Sequence, residues 1–149
     1  MRVLDSKKVS YESHAYSADP SLSGSEIAGI LNEDVNKVFK TLVTVSKSGN
    51  NYVFVVPVDS ELNLKKAAAS VSEKAISMIK QKELLPLTGY VHGGCSPIGM
   101  KKALKTVMHE TARDYDTVFV SAGKVGYQIE LSPEDLKNVT GLKYADIVD

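Results

Sequence analysis

The feature that most constrains the fold is a pair of β-rich stretches that each double back through a glycine-containing turn. Val38 to Val45 is rich in β-formers, Ser46 to Asn51 supplies turn residues including Gly49, and Tyr52 to Val56 is β-rich again before Pro57. That pattern predicts a β-hairpin. Thr117 to Ala122, the Gly123-Lys124-Val125-Gly126 turn and Tyr127 to Leu131 predict a second one. Helical signals lie between and around the hairpins. Ser23-Gly24-Ser25-Glu26 is a capping-box pattern leading into Ile27, Ile30 and Leu31, which predicts a helix over 24–32. Leu62 to Ala69 favours a second helix with Asn63 as its cap, and Ile79 to Leu85 a third that Pro86 helps to stop. Ser132-Pro133-Glu134-Asp135 starts the last helix, with Ser at the N-cap, Pro at N1 and acids near the positive dipole end, and Gly141 ends it. Val9 to Tyr16 suggests a short first strand.

Helices interleaved with hairpins do not make a regular βαβα alternation. The expected class is therefore α+β, a mixed and mostly antiparallel sheet with flanking helices. A doubly wound parallel sheet is the alternative. No G-x-G-x-x-G follows a predicted strand and no G-x-x-x-x-G-K-[ST] occurs, so phosphate binding by those devices is not expected.

At 149 residues the chain is read as one domain, 1–149, with no repeat or linker to divide it. Its 43% hydrophobic and 24% charged content excludes disordered, collagen-like and coiled-coil architectures as global descriptions. Eighteen basic residues balance eighteen acidic ones, so no global field draws the chain to nucleic acid. A polyanion partner has to be gripped by a local basic patch, with salt-sensitive affinity. The single cysteine, Cys95, forms no internal disulfide, and without a nearby Cys or His pattern it is poor evidence for zinc. A reducing, cytoplasmic setting is expected. The N-terminus has no apolar stretch of signal-peptide length, and no window approaches the ~20 apolar residues that span a bilayer, so no membrane partner is expected.

A conventional hydrolytic triad is not visible. His14, His92 and His109 are the only histidines, none sits in an H-E-x-x-H or His-x-His arrangement, and no G-x-S-x-G elbow occurs. Cys95 and His92 lie three apart in a glycine-rich loop, either as a dyad or as a small packed residue beside an unrelated histidine. The loop itself stands out: Thr88-Gly89-Tyr90-Val91-His92-Gly93-Gly94-Cys95-Ser96-Pro97-Ile98-Gly99-Met100-Lys101-Lys102. Gly93-Gly94 followed by Ser96-Pro97 makes either a wall of main-chain donors and acceptors or an ordinary strand-to-loop corner. Lys40 is the second oddity. Alternation puts Val38, Lys40 and Leu42 on one strand face, so the ammonium group either meets an anion there or snorkels at the strand end.

Three segments in this order carry a resemblance: Val38-Phe39-Lys40-Thr41-Leu42; Thr88 through Gly99; and Val120-Ser121-Ala122-Gly123-Lys124 followed by Ile129-Glu130-Leu131. Together they resemble the YbaK/EbsC family of free-standing aminoacyl-tRNA deacylases, related to the editing domain inserted in bacterial prolyl-tRNA synthetases. The resemblance covers essentially the whole chain. It implies a barrel-like mixed sheet with surrounding helices, trans-editing of mischarged Cys-tRNA(Pro), no cofactor and no metal, and a transient complex with prolyl-tRNA synthetase. It leaves the oligomeric state open.

On the same basis Lys40 matches the family's essential lysine, and Tyr16, Gly93 and Ser121 complete the catalytic set. Thr41, Gly94, Ser96, Gly99 and Gln128 fall to substrate binding. The attacking group in the family's proposed mechanism is the substrate cysteine's own sulfur, so the protein supplies positioning and no nucleophile. Lys40 would offset charge at the terminal nucleotide, and main-chain groups at Gly93 and Gly94 would orient the aminoacyl moiety. Gln128 stands where well-known members carry aspartate, and Ala122 and Cys95 replace a glycine and an aliphatic residue. These departures leave another small aminoacyl ester such as Ala-tRNA(Pro), or a non-catalytic binding module of the same fold, as alternatives. Lys101, Lys102 and Lys105 after the glycine loop, and Lys65 with Lys66, are either tRNA phosphate contacts or solvated surface lysines.

Overall fold

A computed structural model of the chain describes residues 10–15, 26, 34–91 and 94–149. The first hairpin forms as its pattern requires. Strands β2 (Phe39–Ser46) and β3 (Asn51–Pro57) pair antiparallel, with Lys40 opposite Val56 and Val43 opposite Val53. Its turn closes through Gly49 at φ 92°, a backbone conformation that costs glycine little, and through the Ser46 hydroxyl, which accepts from the Asn50 amide at 3.1 Å.

Around that hairpin a five-stranded sheet is built in the order β4-β2-β3-β5-β8. Strand β4 (Ile76–Met78) joins β2 antiparallel, whereas β5 (Lys105–His109) and β8 (Lys143–Ala145) add parallel on the other side. The run Val53-Phe54-Val55-Val56 is buried at every position because this sheet is covered on both faces. Val53 and Val55 enter a core with Phe39, Val43, Met108, Ile129 and Leu131, while Phe54 and Val56 enter another with Ala67, Ala68, Val107 and Ile147.

The second hairpin, β6 (Val118–Ser121) and β7 (Tyr127–Leu131), forms a separate antiparallel sheet in the order β1-β7-β6, with β1 (Glu12–Ala15) at its edge. Val118, Val120, Ile129 and Leu131 on one face join the core under β2 and β3. Among the described residues the two sheets are hydrogen-bonded through one parallel bridge, Val38 to Phe119. The fold is thus α+β with mixed, mostly antiparallel sheets, as expected.

Helix α1 (Leu64–Ser70) starts at Asn63, whose side chain accepts from the Lys66 amide. Helix α3 (Pro133–Thr140) starts at Ser132, whose side chain accepts from Asp135, and ends on Gly141 in the left-handed region. Helix α2 (Gln81–Thr88) corrects the sequence expectation at both ends. Ile79 lies outside it, and Pro86 lies inside it. Lys82 and Pro86 are both exposed, so the proline sits on the solvent side of the helix, and the stop comes instead from Gly89 at φ 83°. Of the helix expected over 24–32, only Glu26 is described, and it is helical. Val9 and Tyr16, at the ends of the expected first strand, lie outside the described residues. No helix among the described residues is long and apolar enough to cross a membrane.

Candidate functional site

The Val38–Phe119 bridge decides which side chains meet. Two residues beyond it stand Lys40 on β2 and Ser121 on β6, and alternation places both on the face of the bridge residues. Ser121 is paired with Gln128 on β7, and Gln128 with His14 on β1. Lys40, Ser121, Gln128 and His14 therefore share a face, opposite the one that Val120 and Ile129 send into the core. Lys40 is partly buried and belongs to no ion pair among the described residues. Gln128 is buried, at 5% exposure. The Ser121 hydroxyl accepts from the Gly123 amide at 3.2 Å, which ties it into the hairpin turn.

Thr41 takes the opposite face of β2, among Phe39 and Val43. Its hydroxyl oxygen is buried and has no hydrogen-bond partner among the described residues. A buried unpaired hydroxyl costs about 1–3 kcal/mol, and Thr41 stands on the core side of β2, on the opposite face from Lys40.

The glycine loop leans on the second hairpin. A Cβ at Gly94 would stand 3.1 Å from the Val125 backbone nitrogen and 3.3 Å from the Lys124 carbonyl carbon, and the Gly94 amide donates to Val91 at 3.0 Å. Backbone-to-backbone seating, rather than a turn alone, is what requires glycine there. Tyr90 holds the loop from inside: its hydroxyl donates to the Ile98 carbonyl, and its ring fills the space that a side chain at Gly123 would need. Ser96 is fully buried with its hydroxyl accepting from the Ile98 amide at 3.2 Å, and Gly99 turns the chain at φ 71°. Both stabilise the loop from within. Tyr16, His92 and Gly93 lie outside the described residues.

Cys95 is buried, and burial pushes its thiol up to about 11 against a smaller opposing effect of the Thr88 hydroxyl. Such a thiol is neutral at physiological pH and a poor nucleophile. Among the basic residues, Lys101, Lys102 and Lys105 are exposed. Lys66 is committed elsewhere, at 3.0 Å from Asp146 and 2.8 Å from the Val148 carbonyl, which dissolves the pair it makes with Lys65 in the sequence.

One polar network escaped the sequence reading. The Thr117 hydroxyl donates to Glu130 Oε2 at 2.5 Å, His14 Nε2 lies 3.2 Å from Oε1, and Lys37 Nζ donates to Thr117 at 3.4 Å. Burial acts to raise the Glu130 carboxyl, but the Thr117 and His14 hydrogen bonds and the charges of His14 and Lys37 more than offset it, leaving it below the ordinary range. The available signal was the alternation of Gln128 with Glu130 and of Glu12 with His14.

Comparison with known proteins follows the same lines. Residues 20–139 match the family model of the aminoacyl-tRNA editing domain. Over 148 residues the chain is 41% identical to the provisionally named Cys-tRNA(Pro)/Cys-tRNA(Cys) deacylase EbsC of Enterococcus faecalis, covering 99% of this chain and 90% of that protein. The crystal structure of a provisionally assigned trans-editing enzyme for prolyl-tRNA synthetase superposes with a TM-score of 0.84 at 26% identity, over 93% of this chain and 87% of that one. The hypothetical protein APE2540 superposes at 0.89 with 22% identity, over 99% and 97%.

Proposed function

The chain belongs to the aminoacyl-tRNA editing domain family, and on that premise we propose that it is a deacylase that clears mischarged Cys-tRNA(Pro). The observation that carries this reading is Lys40, a cation without an ionic partner among the described residues, on one face with Ser121 and Gln128. An ammonium group so placed donates to and neutralises a nucleotide phosphate, and the polar groups beside it position a small aminoacyl ester.

The chemistry asks for no protein nucleophile. The substrate cysteine's sulfur attacks its own ester carbonyl, the sulfur–carbon bond forms as the bond to the ribose oxygen breaks, and the thiol proton ends on that departing oxygen. Water later opens the cyclic thioester. Holding sulfur and carbonyl in a near-attack geometry supplies on the order of 7–11 kcal/mol of the barrier. A neutral, buried Cys95 agrees with a substrate-supplied thiol. Lys40, Tyr16, Gly93 and Ser121 form the catalytic set in this reading, with Gln128 offering an amide donor and acceptor to the aminoacyl group. Zero net charge gives weak intrinsic tRNA affinity, which association with prolyl-tRNA synthetase offsets by raising local concentration.

Gln128 supports a second reading, hydrolysis of Ala-tRNA(Pro) by water, because a neutral amide replaces the family's carboxylate. Side-by-side hydrolysis of Cys-tRNA(Pro), Ala-tRNA(Pro) and Pro-tRNA(Pro) by the wild type and Lys40→Ala decides. Selective, Lys40-dependent loss of the cysteinyl ester supports the first reading and loss of the alanyl ester the second. Survival of all three esters makes the chain a binding module.

A further inference from the structure

Glu12 and Glu130 stand directly opposite each other across the β1–β7 pair. Like charges so placed repel and weaken an antiparallel pair unless a cation lies between them. His14, two residues along β1 and on the same face, reaches into that gap: its Nε2 is 3.2 Å from Glu130 Oε1 and 4.0 Å from Glu12 Oε2. One donor atom from each of the three residues falls within 4.8 Å of the other two.

We propose that Glu12, His14 and Glu130 form a binding site for a divalent transition-metal ion of the zinc class. Zinc takes imidazole nitrogen at about 2.0–2.1 Å and carboxylate oxygen at about 2.0–2.2 Å, which sets neighbouring ligand atoms of a tetrahedron roughly 3.3–3.5 Å apart. The His14–Glu130 separation, 3.2 Å, falls just short of that spacing and opens to it with a small side-chain shift. Glu12, whose side chain is 76% exposed, closes the remaining distance by rotating about its own bonds. Two carboxylates and a neutral imidazole match the charge of a dication, and imidazole favours zinc or copper over magnesium and calcium, which prefer all-oxygen sites.

The surrounding groups orient these ligands. The Thr117 hydroxyl holds the far oxygen of Glu130 at 2.5 Å, the outer-shell bond that ligating carboxylates commonly have. The His14 ring is set against Phe119 with centroids 5.5 Å apart and planes at 59°. Lys37 is the opposing charge, 5.6 Å from the Phe119 ring centre and hydrogen-bonded to Thr117, so the ion has to enter from the Glu12 side. Bound there, the ion would clip β1, the strand that runs into Tyr16, onto the strand that carries Gln128. The site rests on side-chain geometry and is independent of which aminoacyl ester is cut.

Titration of the metal-stripped full chain with zinc chloride by calorimetry tests it, with cobalt(II) absorption reporting the coordination geometry. One zinc per chain is expected, with a rise in Tm and a tetrahedral cobalt spectrum. Glu12→Gln and His14→Ala should each weaken binding by at least about tenfold, and Thr117→Val by about tenfold through its outer-shell bond. Glu12 is exposed and Gln keeps its shape, so that variant tests ligation without disturbing the fold. No zinc uptake, or uptake that the Glu12→Gln and His14→Ala double variant retains, overturns the site.

Discussion

Gly94 is seated on the backbone of Val125: a single methyl group there would come within 3.1 Å of the Val125 nitrogen. The glycine loop and the second hairpin are thereby held as one unit, and the loop's position is set by main chain on both sides.

Gly94→Ala should therefore lower stability by about 1–3 kcal/mol, the usual cost of forcing extra atoms into a packed site. For a chain of this size each kcal/mol corresponds to a Tm loss of roughly 2–4 °C. Thermal unfolding checks it. Deacylation should fall further than stability accounts for, because the loop shifts against Ser121's hairpin.

Cys95 supplies a second prediction. With its thiol at about 11, alkylation by iodoacetamide should be slow at neutral pH and should accelerate as pH climbs toward that value. Cys95→Ala should retain deacylase activity at a stability cost of about 1 kcal/mol. Rapid labelling at pH 7, or an inactive but folded Cys95→Ala, would return the reacting thiol to the protein.

Gln128→Asp places a carboxylate on the face of Lys40 and Ser121. If the family's aspartate serves cysteine discrimination, this variant should raise the rate on Cys-tRNA(Pro) relative to Ala-tRNA(Pro). An unchanged ratio would show that Gln128 already does what the reaction needs.

Glu73 should contribute to acid sensitivity. The Tyr52 hydroxyl, donating at 2.6 Å, outweighs the opposing effect of burial and holds its carboxyl below the ordinary 4.5, with Ser48 and Asn50 adding smaller contributions in the same direction. A carboxyl lowered on folding contributes stability that is present above 4.5 and is lost as pH falls through its folded value. Tm measured against pH should thus drop on the acid side, and Glu73→Gln should start lower and show a shallower drop. Asp146, lowered chiefly by its hydrogen bond from Lys66, and Glu130, where burial is outweighed by Thr117, His14 and Lys37, contribute in the same direction and leave a residual slope in that variant.

What the sequence made legible was local. Both hairpins follow from β-formers flanking short glycine turns, and α1 and α3 from the caps Asn63 and Ser132, because each of those signals acts over a few residues. Strands β5 and β8 were not legible. They are three to five residues long and add in parallel, and a buried run such as Thr106-Val107-Met108 has no alternation to read. Pro86 misled because the cost of a proline depends on which side of the helix it takes, which only the fold decides. The resemblance supplied the candidate residues, whereas the common face of Lys40, Ser121 and Gln128 depends on one long-range bridge. The Glu12, His14 and Glu130 cluster has no motif spacing, since His14 and Glu130 lie 116 positions apart.

Each hairpin closes a short loop and costs little entropy to form. The Val38–Phe119 bridge joins residues about eighty positions apart, so it is among the last contacts that folding can reward. A chain emerging from the ribosome displays Lys40 long before it contains the strand that must stand beside it. The face that carries Lys40, Ser121 and Gln128 is consequently assembled only once β6 and β7 have left the ribosome, and a chain cut short before Val118 lacks it altogether.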